Sequence, residues 1–403
     1  MRSTDIAIVG GGLAGSLAAA MLGRDGFDVI MVDPHAVYPP DLRCEKLDGG
    51  QVKLLRKTGL APAVLKAATH DREAWVARFG RLIDKKPSDQ QGILYDTLVN
   101  TIRAEIPERV ELVVDKVKSI YTSRYRQRVT LSSGEDIAAR LIVMANGLNT
   151  GLRLALGMGR EILSPCHSIT AGFDVKPLGH AAFDFKAMTY YPERAADRLA
   201  YLSLFPIGHT MRANLMVYRD MNDPWLRRLR FDPVAALLEV MPNLPKLTGP
   251  FTTVGAIKIR PADLYVTKRH LQPGIVLVGD AFSTSCPAAG TGAGKVLNDV
   301  GRLCNVHIKR WLASPGMDED KIASFYRDPV KVEFDAACLD KAYRLRALSV
   351  ERGMSWQARR LTKFVARSCV GALRAPRPAY YPTGIAPRPV ADAATGAGLG
   401  RPA

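Results

Sequence analysis

Paired cysteines, metal-ligand spacings and long apolar runs are all missing from this sequence. Its 403 residues hold six cysteines (Cys44, Cys166, Cys286, Cys304, Cys338 and Cys369), scattered and without a CxxC. That pattern excludes a disulfide scaffold and the common zinc frameworks. The opening MRSTDIAIVG does not read as a secretory signal, so a reducing cytoplasm is the expected compartment. With no run of about 18 apolar residues, a spanning helix is not expected. The seven histidines show no metal spacing, and no internal repeat is visible. Acidic residues are in deficit, 39 against 56 Lys and Arg, for a net charge of +17. No nucleic-acid motif accompanies the charge, so nucleic acid is not an expected partner.

With 47% hydrophobic residues there is material for a sizeable core and a large two-domain enzyme. The excess charge is concentrated. Between Lys341 and Arg377 ten basic residues stand against Glu351 alone, a local net charge of +9. Leu345, Leu348, Trp356, Leu361, Phe364 and Val365 are interspersed. Such a segment suits an anionic membrane surface or an acidic carrier protein, as a peripheral contact; a basic helix whose charges simply face water fits equally.

The N-terminus reads as a βαβ unit. DIAIVG (5–10) is an apolar strand, SLAAAMLGRDG (16–26) a helix, and DVIMVD (28–33) a second strand. Between the first two lie Gly10, Gly12, Leu13, Ala14 and Gly15, a GxGxxG turn in its expected context. The first glycines permit a tight turn and close approach of a pyrophosphate, and Gly15 lets helix and strand pack closely. Asp33, eighteen residues after Gly15, is placed to accept from a ribose hydroxyl. A helical region follows from LDGGQVKLLRKTGL (47–60) onward, then a meander of strands over 109–147. Residues 167–219 and 251–260 alternate as strands of an antiparallel sheet. Residues 274–278 return to a buried parallel-type strand, and 330–374 read as helical. From Pro376 the chain carries six prolines and four glycines in 28 residues, composition expected of a disordered tail.

A second glycine-rich strand-to-helix turn, VGDAFSTSCPAAGTGAG, occupies 278–294. One pyrophosphate turn suffices for a dinucleotide, but FAD also has a ribityl chain and an isoalloxazine to hold. Asp280 suits ribityl hydroxyls, and a helix starting near 291 directs free N–H groups at reduced flavin.

Taken together these residues resemble the flavoprotein monooxygenases of the p-hydroxybenzoate hydroxylase type over roughly residues 3–330. The matching elements are GxGxxG, Asp33, Arg43, ANGLNTGLR (145–153) with Gly147 and Arg153, and Gly279, Asp280, Pro287, Gly290, Gly292 and Asp299. Asn146 and Thr150 depart from the motif, as do Ser283, Thr291 and Gly294. The resemblance implies an α/β fold: a Rossmann-like FAD-binding domain in two parts (1–164 and 263–330), an antiparallel-sheet substrate layer (165–262), a basic helical region (331–375) and the tail (376–403). It implies FAD, with Ala293 and the residues above as its contacts, Arg43 near the pyrophosphate, and Pro287, Gly290 and Gly292 around the flavin ring. Asp299 and Arg153 also admit plain readings, as a helix-surface acid and a structural ion pair.

The implied reaction hydroxylates or epoxidises an apolar aromatic, polyketide or isoprenoid substrate through a flavin C4a-hydroperoxide, with NADPH or NADH and O2. No protein nucleophile is needed. GDAF (279–282) and LNDV (297–300) are similar to the squalene epoxidase form of the motif. Tyr201, Phe205, Pro206 and Gly208 match the YxWxFPxG of geranylgeranyl reductase-like flavoproteins, with Ser203 in place of Trp, so reduction of isoprenoid double bonds is the alternative reading. A non-catalytic prenyl-binding protein would lack the second flavin turn. Tyr201, Phe205 and His209 are the expected substrate contacts, with His167 as a further candidate; each also reads as ordinary sheet structure.

Overall fold

The computed structural model describes residues 1–374; the expected disordered tail therefore lies outside the described residues. Two seven-stranded sheets organise the chain. In the first, Arg2–Val9 lies between Val29–Asp33 and Asp136–Met144, all parallel. Glu111–Val114 extends one edge in parallel. The far edge of Asp136–Met144 is shared: Gln127–Leu131 pairs antiparallel with its first half, and Ile275–Leu277 parallel with its second. These are apolar runs because both faces are covered, by the helix Leu13–Arg24 on one side and by packed turns on the other.

The second sheet has the order 251–267, 160–177, 210–217, 199–207, 187–191, 73–78, 81–87. It is antiparallel apart from the parallel pair of Ala187–Tyr191 with Glu73–Arg78. The helices Pro224–Phe231 and Pro233–Val240 cover one face, burying Trp225, Leu229 and Leu237 against Phe173, Leu202 and Leu215. Arg160–Pro177 and Phe251–Thr267 are long strands, and the expected boundaries at 164/165 and 262/263 fall inside them.

Residues 73–87 correct the sequence reading, which continued the helical region through them. They form a hairpin, Glu73–Arg78 with Arg81–Pro87, joined by Phe79 and Gly80, both in the left-handed region (φ 55° and 66°). Phenylalanine is uncommon there. The turn is held from outside: Phe79 meets Phe364 edge-on, ring centres 5.9 Å apart, and Arg78 lies 4.8 Å over the Phe79 ring.

Phe364 belongs to Met354–Arg374, the second of two C-terminal helices. This helix lies against the hairpin so closely that a Cβ on Gly371 would come within 1.9 Å of the Ile83 carbonyl. The preceding helix, Pro329–Val350, packs on Gly292–Arg302. Gly294 is explained here, since a Cβ would already sit 3.3 Å from Phe334. No cysteine is bridged, and among the described residues no helix is long and apolar enough to cross a membrane.

Candidate active site

Each glycine turn ends in a helix whose N-cap residue gives no side-chain bond, although the Leu13 N–H reaches Tyr95 Oη at 3.4 Å. Gly12 precedes Leu13–Arg24 and Thr291 precedes Gly292–Arg302, and neither helix has a capping side-chain bond. Such N-termini carry partial positive charge and unmet donors. The glycines fall into two kinds. Gly10 (φ 101°) and Gly15 are fixed by the protein itself: a Cβ would come 2.7 Å from the Ala145 carbonyl and 1.8 Å from the Gly10 carbonyl, respectively. Gly15 is thus the close helix–strand contact expected of it. Gly12 and Gly292 are different. Their Cβ positions meet nothing closer than 3.8 Å and 4 Å, so no protein atom demands glycine there. Gly290 needs its left-handed φ of 65°, and its carbonyl accepts from Gln51 Nε2 at 2.8 Å.

The two turns meet at a cavity of about 350 Å³. Leu13, Arg43, Asp280, Pro287, Gly290, Gly292 and Ala293 line one side, and Tyr201, Ser203, Phe205, Asn214 and Met216 of the second sheet line the other. Ala14 is buried behind this wall. Arg43 Nη1 lies 2.9 Å from Asp280 Oδ2 and its Nε 2.6 Å from Asp41. Burial works against the Arg43 charge, but Tyr95, Asp280 and Asp41 outweigh it and keep the guanidinium protonated. A cation, a carboxylate and two uncapped helix N-termini around one space suit a ligand with both phosphates and hydroxyls. FAD is such a ligand, and Gly12 and Gly292 leave room where a side chain would intrude.

Asp33 has a second occupation. Its carboxylate accepts from the Gly11 N–H at 2.7 Å and the His35 N–H at 3.0 Å, and lies 3.2 Å from Arg103. Arg103, in the helix Tyr95–Ala104, also donates to the carbonyls of Gly11, His35 and Ala36. Nothing in the sequence near Arg103 signalled this clamp; only the tertiary fold brings it to the turn.

Arg153 and Asp299 are buried. Arg153 forms no ion pair among the described residues: it donates to the carbonyls of Asp280 and Ala281 and to Thr267 Oγ1, fixing the Gly-Asp turn from behind. Asp299, read above as a surface acid, is fully buried between Lys295 and Lys331, each 2.8 Å away. Burial alone would raise its pKa, but the two ammonium groups hold the carboxyl below its ordinary range. Gly279 N–H also points at it, at 3.4 Å.

On the sheet side Tyr201 donates to the Ala288 carbonyl at 2.6 Å, tying the turn that carries Pro287 to the second sheet. Phe205 is buried and borders the cavity. His209 does not: it sits on the exposed turn between Leu199–Ile207 and Thr210–Val217, beyond the end of the strand on which it was expected. His167 is buried outside the cavity, its Nδ1 3.1 Å from Ser164 Oγ.

The family model described as "FAD binding domain" matches residues 3–306. The chain belongs to this family. It is an FAD-dependent oxidoreductase of the monooxygenase kind. It is similar to the 3-demethoxyubiquinol 3-hydroxylase of Escherichia coli K12, at 25% identity over 334 residues, covering 76% of this chain and 80% of the relative. It is also similar to squalene epoxidase erg1 of Aspergillus fumigatus, at 24% identity over 321 residues, covering 75% and 66%. In fold it is similar to p-nitrophenol 4-monooxygenase PnpA from Pseudomonas putida DLL-E4, with a TM-score of 0.72 at 16% identity, covering 92% of this chain and 95% of that one.

Proposed function

We propose that this FAD-dependent enzyme uses NADH or NADPH and O2 to hydroxylate or epoxidise an apolar aromatic, polyketide or isoprenoid substrate. The observation that carries the reading is the single cavity shared by the two glycine turns and the second sheet. FAD, when bound, supplies the redox chemistry, taking electrons from the nicotinamide and activating O2. The chain's own work is positional. Arg43, Asp280 and the two helix N-termini hold charged and hydroxyl-bearing parts of the cofactor. Phe205, Met216 and Leu42 give the substrate an apolar wall and keep water from it. Tyr201, bonded to Ala288, keeps that wall in register with the turn. Hydroxylation or epoxidation of a sizeable apolar molecule also fits the activities named for the hydroxylase and epoxidase relatives.

The test follows NADH and NADPH oxidation and O2 uptake against phenols, polyketides and polyprenyl compounds, with labelled O2. Label in the product supports oxygenation. A saturated product formed anaerobically, without label, establishes reduction of an isoprenoid double bond instead.

A further inference from the structure

Lys46 has a place in this cavity that neither glycine turn explains. It begins the short strand Lys46–Leu47, which pairs with Gln91–Gly92. Gly92 lets this small sheet approach the second one: a Cβ there would come within 2.1 Å of the Pro206 carbonyl. The contact brings Lys46 Nζ to 2.9 Å from Ser203 Oγ and 4.8 Å from the centre of the Phe205 ring, on the cavity wall. Had residue 203 been the Trp of the reductase pattern, no hydroxyl would stand there.

The amine has no carboxylate within 4 Å among the described residues. Glu45, next to it, is committed to Arg212 through both oxygens, at 2.9 and 2.8 Å. The groups that act on Lys46 from the packed elements are Asp71, Asp48, Cys44 and Lys86. Burial outweighs the acids among them and pushes the amine down to about 8. A cation taken out of water without a partner is costly, and the cost is recovered only when an anion arrives. Ser203 accepts from the amine and keeps its own O–H to donate.

We propose that Lys46 and Ser203 form a seat for an anionic oxygen of the substrate, either an ionised hydroxyl or a carboxylate. This rests on the reading of the cavity as the substrate site. When a hydroxyl enters beside the neutral amine, its O–H bond breaks and the proton forms a new N–H bond on Nζ. When the amine already carries its proton, the hydroxyl proton leaves to water. No electrons move in either case. An ionised ring hydroxyl makes the ring carbons more electron-rich, which suits attack on electrophilic oxygen.

The test uses the full chain loaded with FAD, without NAD(P)H, so that no turnover enters and the oxygen-label result is independent of it. The probe is 4-nitrophenol, which is yellow only as the phenolate. Benzoate serves as competitor and 4-nitroanisole as the uncharged control. Wild type should bind nitrophenol as the phenolate, with affinity falling as pH rises above about 8, where the free protein's amine loses its proton. K46M should weaken it at least about tenfold, and K46R should restore binding and remove that fall with pH. S203A should weaken phenolate binding less than K46M, and nitroanisole should not respond to any variant. Displacement by benzoate adds carboxylates to the seat's ligands; failure to displace restricts it to hydroxyls. FAD content and thermal midpoint confirm that each variant is folded. Equal binding by wild type and K46M overturns the proposal, as does wild type that binds neither nitrophenol nor benzoate.

Discussion

Arg43, in the loop between Val29–Asp33 and Lys46–Leu47, and Asp280 of the second glycine turn form an ion pair 2.9 Å long. The pair is part-exposed toward the cavity, with side-chain exposures of 23% and 30%. Its strength for folding is therefore small, and its value is to aim two opposite charges at one ligand. Asp280→Ala should lower the ratio of FAD to protein and weaken FAD affinity by about tenfold or more, or about 1.4 kcal/mol, while circular dichroism stays unchanged. Flavin absorbance after gel filtration measures it. Full occupancy in the variant would remove Asp280 from the site.

Arg153 should behave in the opposite way, as a residue of stability. Arg153→Met strips donors from the Asp280 and Ala281 carbonyls inside the protein. A loss of roughly 2–3 kcal/mol is expected from losing the charged donor, although the two carbonyls keep the hydroxyls of Tyr265 and Thr267 at 2.7 and 2.8 Å. Urea unfolding of the apoprotein isolates that effect from flavin binding, and an unchanged midpoint would mean that the Tyr265 and Thr267 hydroxyls suffice for the two carbonyls.

Asp299→Ala should be more severe. It leaves Lys295 and Lys331 buried with only Asp335 nearby, at 3.2 and 2.8 Å. Breaking such a buried cluster on one side costs roughly 3–5 kcal/mol. The urea midpoint should fall accordingly, and the 329–350 helix should lose hydrogen-exchange protection first.

Acid should unfold the protein through a neighbouring group. Asp328 caps the 329–350 helix by accepting from the Lys331 N–H, and also binds Arg302 and His307. Burial opposes ionisation, yet these partners hold the carboxyl down to about 2. The folded value lies below the unfolded value of about 3.9, so the unfolded chain takes up the proton first. The contribution is complete above pH of about 4 and is lost between there and about 2. Asp328→Asn should flatten the stability–pH curve in that window, as measured by thermal midpoints.

The 354–374 helix carries the remaining prediction. Trp356 and Phe364 are partly covered, but Met354, Leu361 and Val365 are exposed, as are the basic side chains of Arg352, Arg359 and Lys363. Sedimentation with phosphatidylserine vesicles should take the protein down at low salt and release it at high salt. R359E/K363E should bind less, each basic residue contributing about 1 kcal/mol near the surface. A protein that stays in the supernatant at all salt concentrations has a helix that only braces the 73–87 hairpin.

Sequence legibility followed where sterics are local. The first βαβ unit was readable because Gly15 answers to the Gly10 carbonyl five residues away. The second turn was readable because Gly290 and Gly292 border space, a pattern that a known family shares. The hairpin at 73–87 was not, since its turn depends on Phe79 adopting a left-handed φ supported by Phe364, far along the chain. Asp299 failed for the same reason: helical spacing places it on the helix, but only the packing of Pro329–Val350 decides that it is buried. Lys46 and Arg103 carry no motif, and only the close approach of sheets and helices gives them partners.

The strand Ile275–Leu277 lies against Asp136–Met144, which itself lies against Arg2–Val9. During translation, then, the first glycine turn leaves the ribosome long before the strand and turn that complete its cavity have been polymerised. Everything from 145 to 274 must be synthesised and looped out before the central sheet can close, and that closure costs entropy before the contact rewards it. Domain-by-domain folding behind the exit tunnel is therefore not open to this cofactor half. Until residues 275–294 have been made, a nascent chain offers flavin only one end of its cradle, so loading belongs after that point.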